Sequence, residues 1–572
     1  MRLWKLIFTI IMVALLSACG GSSNQDSTTN NNRQQESNTI IDKTAPIITI
    51  LGDNPLEITQ GETFSDPGAT ATDNIDGEVA VTPNGTVDMS TIAEYTITYT
   101  AKDKVGNKAT ATRVVRVKSA DVVWNVSTVT ELRQALENAS ANGENDKILL
   151  SAGTYKTTSD GLGTFKFNDN EEFNLTIESV EGLSRDDVVL SGDHSMQVFN
   201  FNNTKNSTLI FRGVSIIDGN SSTNGGGIYS NQNIEVENCD ITNNNSDNKG
   251  GGFYANVAIV TNSTISDNNS YLGGGFYTGT TTVSNSTISN NTSSRNGGGF
   301  YSGITTVTNL TISNNSTSDG KGGGFYSGTT TVIDSTISNN SSRYSGGGFY
   351  SGTTTISNSI VSHNISHHHG GGFHAETTTV SNSTISNNTS RYSGGGFYSE
   401  VAKVTNSIFS ENNATIGASF YSYHYFNYSS YISNNIFIKN KGSLYSKGVF
   451  INNIFDNNGD TDMNLRGDSK IYNNYIDYNK IEENGNNVIK KQNLQPSSEG
   501  DVYLNNDNET LASNSPVIDK GLNISSATYK KIIDNDDVYN QMVELLITDK
   551  VGNKRVYNGT IDIGAVEYGS SK

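Results

Sequence analysis

Between residues 225 and 421 the apolar and polar positions recur with a period far longer than a helix turn or a strand alternation. The first glycine of each repeat, at Gly225, Gly250, Gly273, Gly297, Gly322, Gly346, Gly370, Gly394 and Gly417, follows its predecessor by 23 to 25 residues. Three residues after each marker stand Ile228, Phe253, Phe276, Phe300, Phe325, Phe349, Phe373, Phe397 and Phe420, and one residue further Tyr229, Tyr254, Tyr277, Tyr301, Tyr326, Tyr350, His374, Tyr398 and Tyr421. Neighbouring side chains on a strand point to opposite sides, so an inward phenylalanine column implies an outward aromatic column. Two further apolar columns, Val260 to Val404 and Ile265 to Phe409, predict the remaining inner walls. Between them runs Asn262, Asn285, Asn309, Asp334, Asn358, Asn382 and Asn406, residues that tolerate the bend a coil needs there. A unit of this length buries its apolar side only against its neighbours, which predicts a solenoid with coils about 4.8 Å apart.

Other textures flank the repeat. Residues 1–19, MRLWKLIFTIIMVALLSAC, combine basic Arg2 and Lys5 with an apolar core and a small-residue end, the pattern of an export signal. Leu16-Ser17-Ala18-Cys19 resembles the lipobox of bacterial lipoproteins, which implies cleavage before Cys19, its lipidation and, with Gly20 next, an outer-membrane destination. Residues 20–43 are polar and low in complexity, as a tether is.

Residues 44–118 alternate β-branched runs with turns, which predicts a small β-sandwich. Through TAPIITILGDNP, DPGATATDNIDG and YTITYTAKDKVGN they resemble the bacterial Ig-like domain related to that of insecticidal crystal proteins, and the resemblance implies surface display. Over residues 127–139 one amphipathic helix is expected, with Thr128 and Glu131 at capping-box spacing and Leu132, Ala135, Leu136 and Ala139 on one face. With KILLSAGTY after it, this segment resembles the N-terminal cap of pectin-lyase-like right-handed parallel β-helices, and the repeats resemble those of polymorphic outer-membrane proteins. The expected β-helix, its capping helix included, spans 124–510, and 511–572 resembles the closing segment of secreted β-helix proteins. The fold class is therefore all-β: a right-handed parallel β-helix of ~24 residues per coil behind an Ig-like sandwich.

Composition narrows function. A formal net charge of −19 argues against nucleic acid as partner, since phosphate contacts need a basic footprint. Of the two cysteines, Cys239 is left without a partner and reads as a small buried residue. No cofactor is required; Ca²⁺ is the ion that Asp73 and Asp76 in the loop DNIDG could gather, against the alternative of Asx turns.

Candidate chemistry collects where the repeat is broken. His374 replaces the tyrosine of its column, and Glu376 and Glu400 replace the glycine or asparagine found two residues beyond that column. Five of the 7 histidines, His363, His367, His368, His369 and His374, fall in this coil. Glu376, Glu400 and His374 are candidate catalytic groups: a carboxylate pair near ~5–5.5 Å could supply the acid and nucleophile of a retaining glycosidase. They could equally ligate Ca²⁺ or Zn²⁺, or form a solvated patch. The aromatic column is a candidate ligand-binding row through Tyr254, Tyr277, Tyr301, Tyr326, Tyr350 and Tyr398, with Arg343 and Arg391 offering a cationic stripe to anionic groups. Outward T-x-T pairs such as Thr280/Thr282 and Thr353/Thr355 resemble ice-binding β-helices, interrupted at Ile304, Val401 and Lys403. The sequence thus points to an exported, membrane-anchored surface protein whose β-helix is an extended binding or adhesion surface for polysaccharides or cell-surface glycans. The alternative is a polysaccharide lyase or glycoside hydrolase, and a third class is an ice-binding protein.

Overall fold

A computed structural model describes residues 42–118, residues 121–422 apart from positions 141 and 171, most of 430–491, and the strand pair Val556–Tyr557 and Thr560–Ile561. The export signal with Cys19, nearly all of the tether and nearly all of the closing segment lie outside the described residues. Two compact units divide after Lys118.

The first unit is a sandwich of two small sheets. Ile47–Ile50, Ala69–Asp73 and Gly77–Val79 form one; Leu56–Thr59, Lys108–Lys118, Ala93–Lys102 and Val81–Asn84 form the other. Alternation places Ile97, Tyr99 and Val115 in the core. A buried charge sits beside them: Arg113 is fully enclosed, meets Asp66 at 3.2 Å, and donates to Tyr99 Oη and to the carbonyls of Leu51, Asp53 and Gly68. Enclosing a guanidinium is tolerable only when its donors are satisfied in this way.

The second unit opens with the strand Val122–Val126 and then the helix Val129–Ala139, whose Thr128 and Glu131 close a capping box and whose Leu132, Ala135, Leu136 and Ala139 cover the first coils. Parallel coils follow. In the coil at Gly346 the chain runs through Phe349–Tyr350, Thr353–Ser357, Ile360–Ser362 and Ile365–Ser366, each paired in parallel to the equivalent strand of the next coil. The first two segments of a coil build one sheet and the third a second, while the fourth, described in the eight coils from Asn220–Ser221 to Thr389–Ser390, builds a third. This is a parallel β-helix. The expected columns are in register: Ile228 pairs with Phe253 and the series continues to Phe420, while Val260 and Ile265 stand in the other two walls, which reach back through Val236 and Ile241. Phe rings of successive coils stack 4.7 to 4.9 Å apart from Phe253 to Phe420.

The bends explain the remaining constants of the repeat. Asn262, Asn285, Asn309, Asp334, Asn358, Asn382 and Asn406 all have φ near +50°, a conformation Asn and Asp adopt more readily than other side chains. Each glycine triplet passes so close to the next that a Cβ on Gly347 would lie 2.2 Å from Gly371 O. Asparagines one residue past a second such bend, Asn244, Asn268, Asn291, Asn315, Asn340, Asn364, Asn388 and Asn412, are buried and donate Nδ2 to Oδ1 of the next rung at 2.9 to 3.1 Å. These amides form a polar stack inside the helix, whereas in the column of Asn262 the side chain of Asn309 donates to Asn285 at 2.8 Å on the exposed side.

Candidate functional site

The broken rung lies inside the largest sheet, on the short strand Phe373–His374 that follows the glycine turn. His374 pairs with Tyr350 before it and Tyr398 after it, and its ring stacks on theirs at 4.8 and 4.6 Å. It therefore completes the ladder that runs from Tyr229 to Tyr445, with neighbouring rings 4.5 to 5.6 Å apart. Stacked rings cover each other's faces, so edges and hydroxyls, not flat faces, are what the tyrosines offer to solvent. Burial raises the phenol of Tyr326, with smaller contributions from Tyr301, Tyr350 and Glu376. Lysines sit over two of the rings, Lys249 at 4.5 Å from the centre of Tyr277 and Lys321 at 4.3 Å from that of Tyr350.

Burial pushes His374 down to about 3, helped by the charges of Lys321 and His369, so the imidazole is neutral at physiological pH. A neutral imidazole keeps one N–H and is a far weaker acid than the imidazolium that usually serves as a general acid. Its Nδ1 is buried and has no hydrogen-bond partner.

Glu376 and Glu400 are exposed and in register: Glu400 N–H donates to Glu376 O at 3.0 Å, and Glu376 N–H to Gly352 O at 2.8 Å. The two carboxylates are thus rung neighbours, as their spacing predicts. Among the described residues, three imidazole, thiol or carboxylate ligand atoms come within 4.8 Å of one another at Asp42, Asp73 and Asp103, a set that does not include His374, Glu376 or Glu400. Asp73 belongs to that group and caps its own turn, accepting from Ile75 and Asp76 N–H at 2.9 Å. Asp76 does not join it; its carboxylate holds Lys104 Nζ at 3.0 Å and Lys104 N–H at 2.8 Å.

A second feature lies in the turn before the triplet. Arg343, His367 and Arg391 are exposed on three consecutive coils. Beside them stand Tyr344, His368 and Tyr392, joined rung to rung by backbone hydrogen bonds of 3.0 Å and by ring contacts of 5.2 and 5.4 Å. Tyr344 and Tyr392 expose 39% and 44% of their surface, and Arg391 lies over the Tyr392 ring at 5.5 Å. Sequence reasoning found the cations and missed their aromatic companions. The signal was available two residues before the marker in four of the coils, where Tyr271, Tyr344, His368 and Tyr392 share one position of the repeat.

Of the outward threonines, Thr282, Thr329, Thr353, Thr355 and Thr377 are exposed, and Ile304, Val401 and Lys403 break the row.

The fold is that of a chain made of an Ig-like domain and a parallel β-helix. Residues 48–117 match the family described as bacterial surface protein, Ig-like domain. No curated protein matches the chain. Among solved structures, the lipoprotein BT2262 from Bacteroides thetaiotaomicron is 28% identical over 14% of this chain and 39% of its own, with a TM-score of 0.13. Pectate lyase Pel9A is 14% identical over 75% of this chain and 90% of its own, TM-score 0.25. The family 28 exopolygalacturonase of Yersinia enterocolitica is 9% identical over 71% and 84%, TM-score 0.19.

Proposed function

We propose that the protein is exported, held at the outer membrane by a lipid on Cys19, and uses its β-helix to bind an anionic polysaccharide or cell-surface glycan. The observation that carries this reading is the stripe of Arg343–Tyr344, His367–His368 and Arg391–Tyr392 on three successive rungs. A cation beside an exposed aromatic edge suits a carboxylated or sulfated sugar: the guanidinium takes the anion and the ring covers apolar C–H faces. Repetition at about 4.8 Å suits a polymer over a single small ligand. The Tyr254-to-Tyr398 ladder contributes hydroxyl edges alongside.

The test is retention of the protein on immobilised anionic and neutral polysaccharides, with new chain ends measured in parallel. Retention on the anionic polymers that falls several-fold in the Arg343→Ala, Arg391→Ala double variant, without new chain ends, supports the proposal. New chain ends that disappear on Glu376→Gln or Glu400→Gln would replace it with the lyase or hydrolase reading. Lipidation is checked separately by labelling with a radioactive fatty acid, which Cys19→Ser should abolish.

A further inference from the structure

We propose that Asp42, Asp73 and Asp103 hold one Ca²⁺ ion within the Ig-like domain. The three come from separate segments: Asp42 precedes the first strand, Asp73 ends Ala69–Asp73, and Asp103 follows Ala93–Lys102. All are buried, with 8%, 8% and 6% of their surface exposed, and their ligand oxygens lie within 4.8 Å of one another.

Hydrogen bonding accounts for only part of this carboxylate cluster. Asp42 Oδ1 accepts from Thr44 N–H at 3.0 Å, and Asp103 accepts from Gly106 and Asn107 N–H and from Asn107 Nδ2. Asp73 spends Oδ1 on its own turn, while its Oδ2 is buried and has no hydrogen-bond partner. Leaving a carboxylate oxygen dehydrated and unpaired is costly, more so beside two further carboxylates. Among the described residues no Lys, Arg or His makes an ion pair with any of the three; Lys43, Lys102 and Lys104 adjoin them in the chain, and Lys104 is turned to Asp76. A bound cation supplies the missing counter-charge.

The donor chemistry selects the ion. Only oxygens are present, which suits a hard cation, and Ca²⁺ binds six to eight oxygens at about 2.3–2.6 Å, so oxygens sharing it can lie up to ~5 Å apart. Backbone carbonyls and water would complete the shell. Such an ion ties together the segment entering the domain and two strand ends. It is independent of whether the β-helix binds a glycan.

The experiment is calorimetric titration of the full chain, stripped with EDTA, with CaCl₂ and separately with MgCl₂, together with thermal unfolding in each ion. One equivalent of Ca²⁺ should bind and raise the unfolding temperature of the Ig-like domain. Asp73→Asn keeps the acceptor for its turn and removes the charge, so it should weaken binding at least tenfold, whereas Asp76→Asn should leave it unchanged. Absence of Ca²⁺ binding to the wild-type chain overturns the proposal whatever the variants do, as does wild-type affinity in a folded Asp73→Asn protein. If that variant does not fold, Asp42→Asn is read in its place by the same criterion.

Discussion

His374 occupies a tyrosine position at the cost of a pH dependence. Its folded-state value is about 3 because of burial, against ~6.5 for an exposed histidine, so between those values the unfolded chain binds a proton that the folded chain does not. Stability contributed this way is fully present above ~6.5 and is lost as pH falls toward 3. His374→Tyr restores the ladder and removes the titration, so urea unfolding should show the wild type losing on the order of 1–2 kcal/mol more than the variant between pH 7 and pH 5. Equal losses would mean that the ring is hydrated. Cys239 makes the complementary case. Burial pushes its thiol up to about 12, and its N–H donates to Ser263 Oγ as the first rung of a serine column. It is a packing residue, and a thiol reagent at pH 8 should leave it unlabelled in the native protein and label it on denaturation.

At the scale of one coil, polar groups inside the helix pull in opposite directions. Asn340 accepts from Asn315 N–H and Nδ2 and donates to Ile312 O, Ser338 O and Asn364 Oδ1. Asn340→Ala strips several buried partners at once and should cost roughly 3 kcal/mol, visible as faster hydrogen exchange in the coils on either side. Thr354 is also buried, but its Oγ1 has no partner. The same column carries Ala258 and Ala402, so the position accepts an apolar residue. Thr354→Val keeps the branched shape and should stabilise by about 1 kcal/mol in the same unfolding measurement. The difference between these two positions shows what the sequence could reveal. The 23-to-25-residue spacing exposed every apolar column and the left-handed asparagine bend, because burial and backbone sterics act on each repeat identically. Which of two adjacent asparagines turns inward was invisible, since both are polar and only the bend's geometry separates them. The aromatic ladder was legible as a row, yet the coverage of its faces follows from ring orientation, which spacing does not encode. Asp42 escaped notice for a related reason: it lies 31 residues before Asp73, and only the strand pairing of the sandwich brings them together.

On the whole molecule, a chain of net charge −19 would be expected to repel a polyanion, and whether it binds one depends on distance. Arg343 and Arg391 are two rungs apart, about 10 Å at the usual strand spacing, which is close to the Debye length at ~0.1 M salt. Charges elsewhere on the surface are then largely screened from a polymer lying on the stripe, and the local cations decide. Reversing them with Arg343→Glu and Arg391→Glu should therefore lower retention on an anionic polysaccharide by at least tenfold while leaving any retention on a neutral one unchanged. Raising salt to ~0.5 M should bring the wild type down to the level of the variant, because an exposed ion pair contributes little once screened. Retention on the anionic polymer that survives both treatments would place the contact away from these turns and sink the stripe as the binding surface.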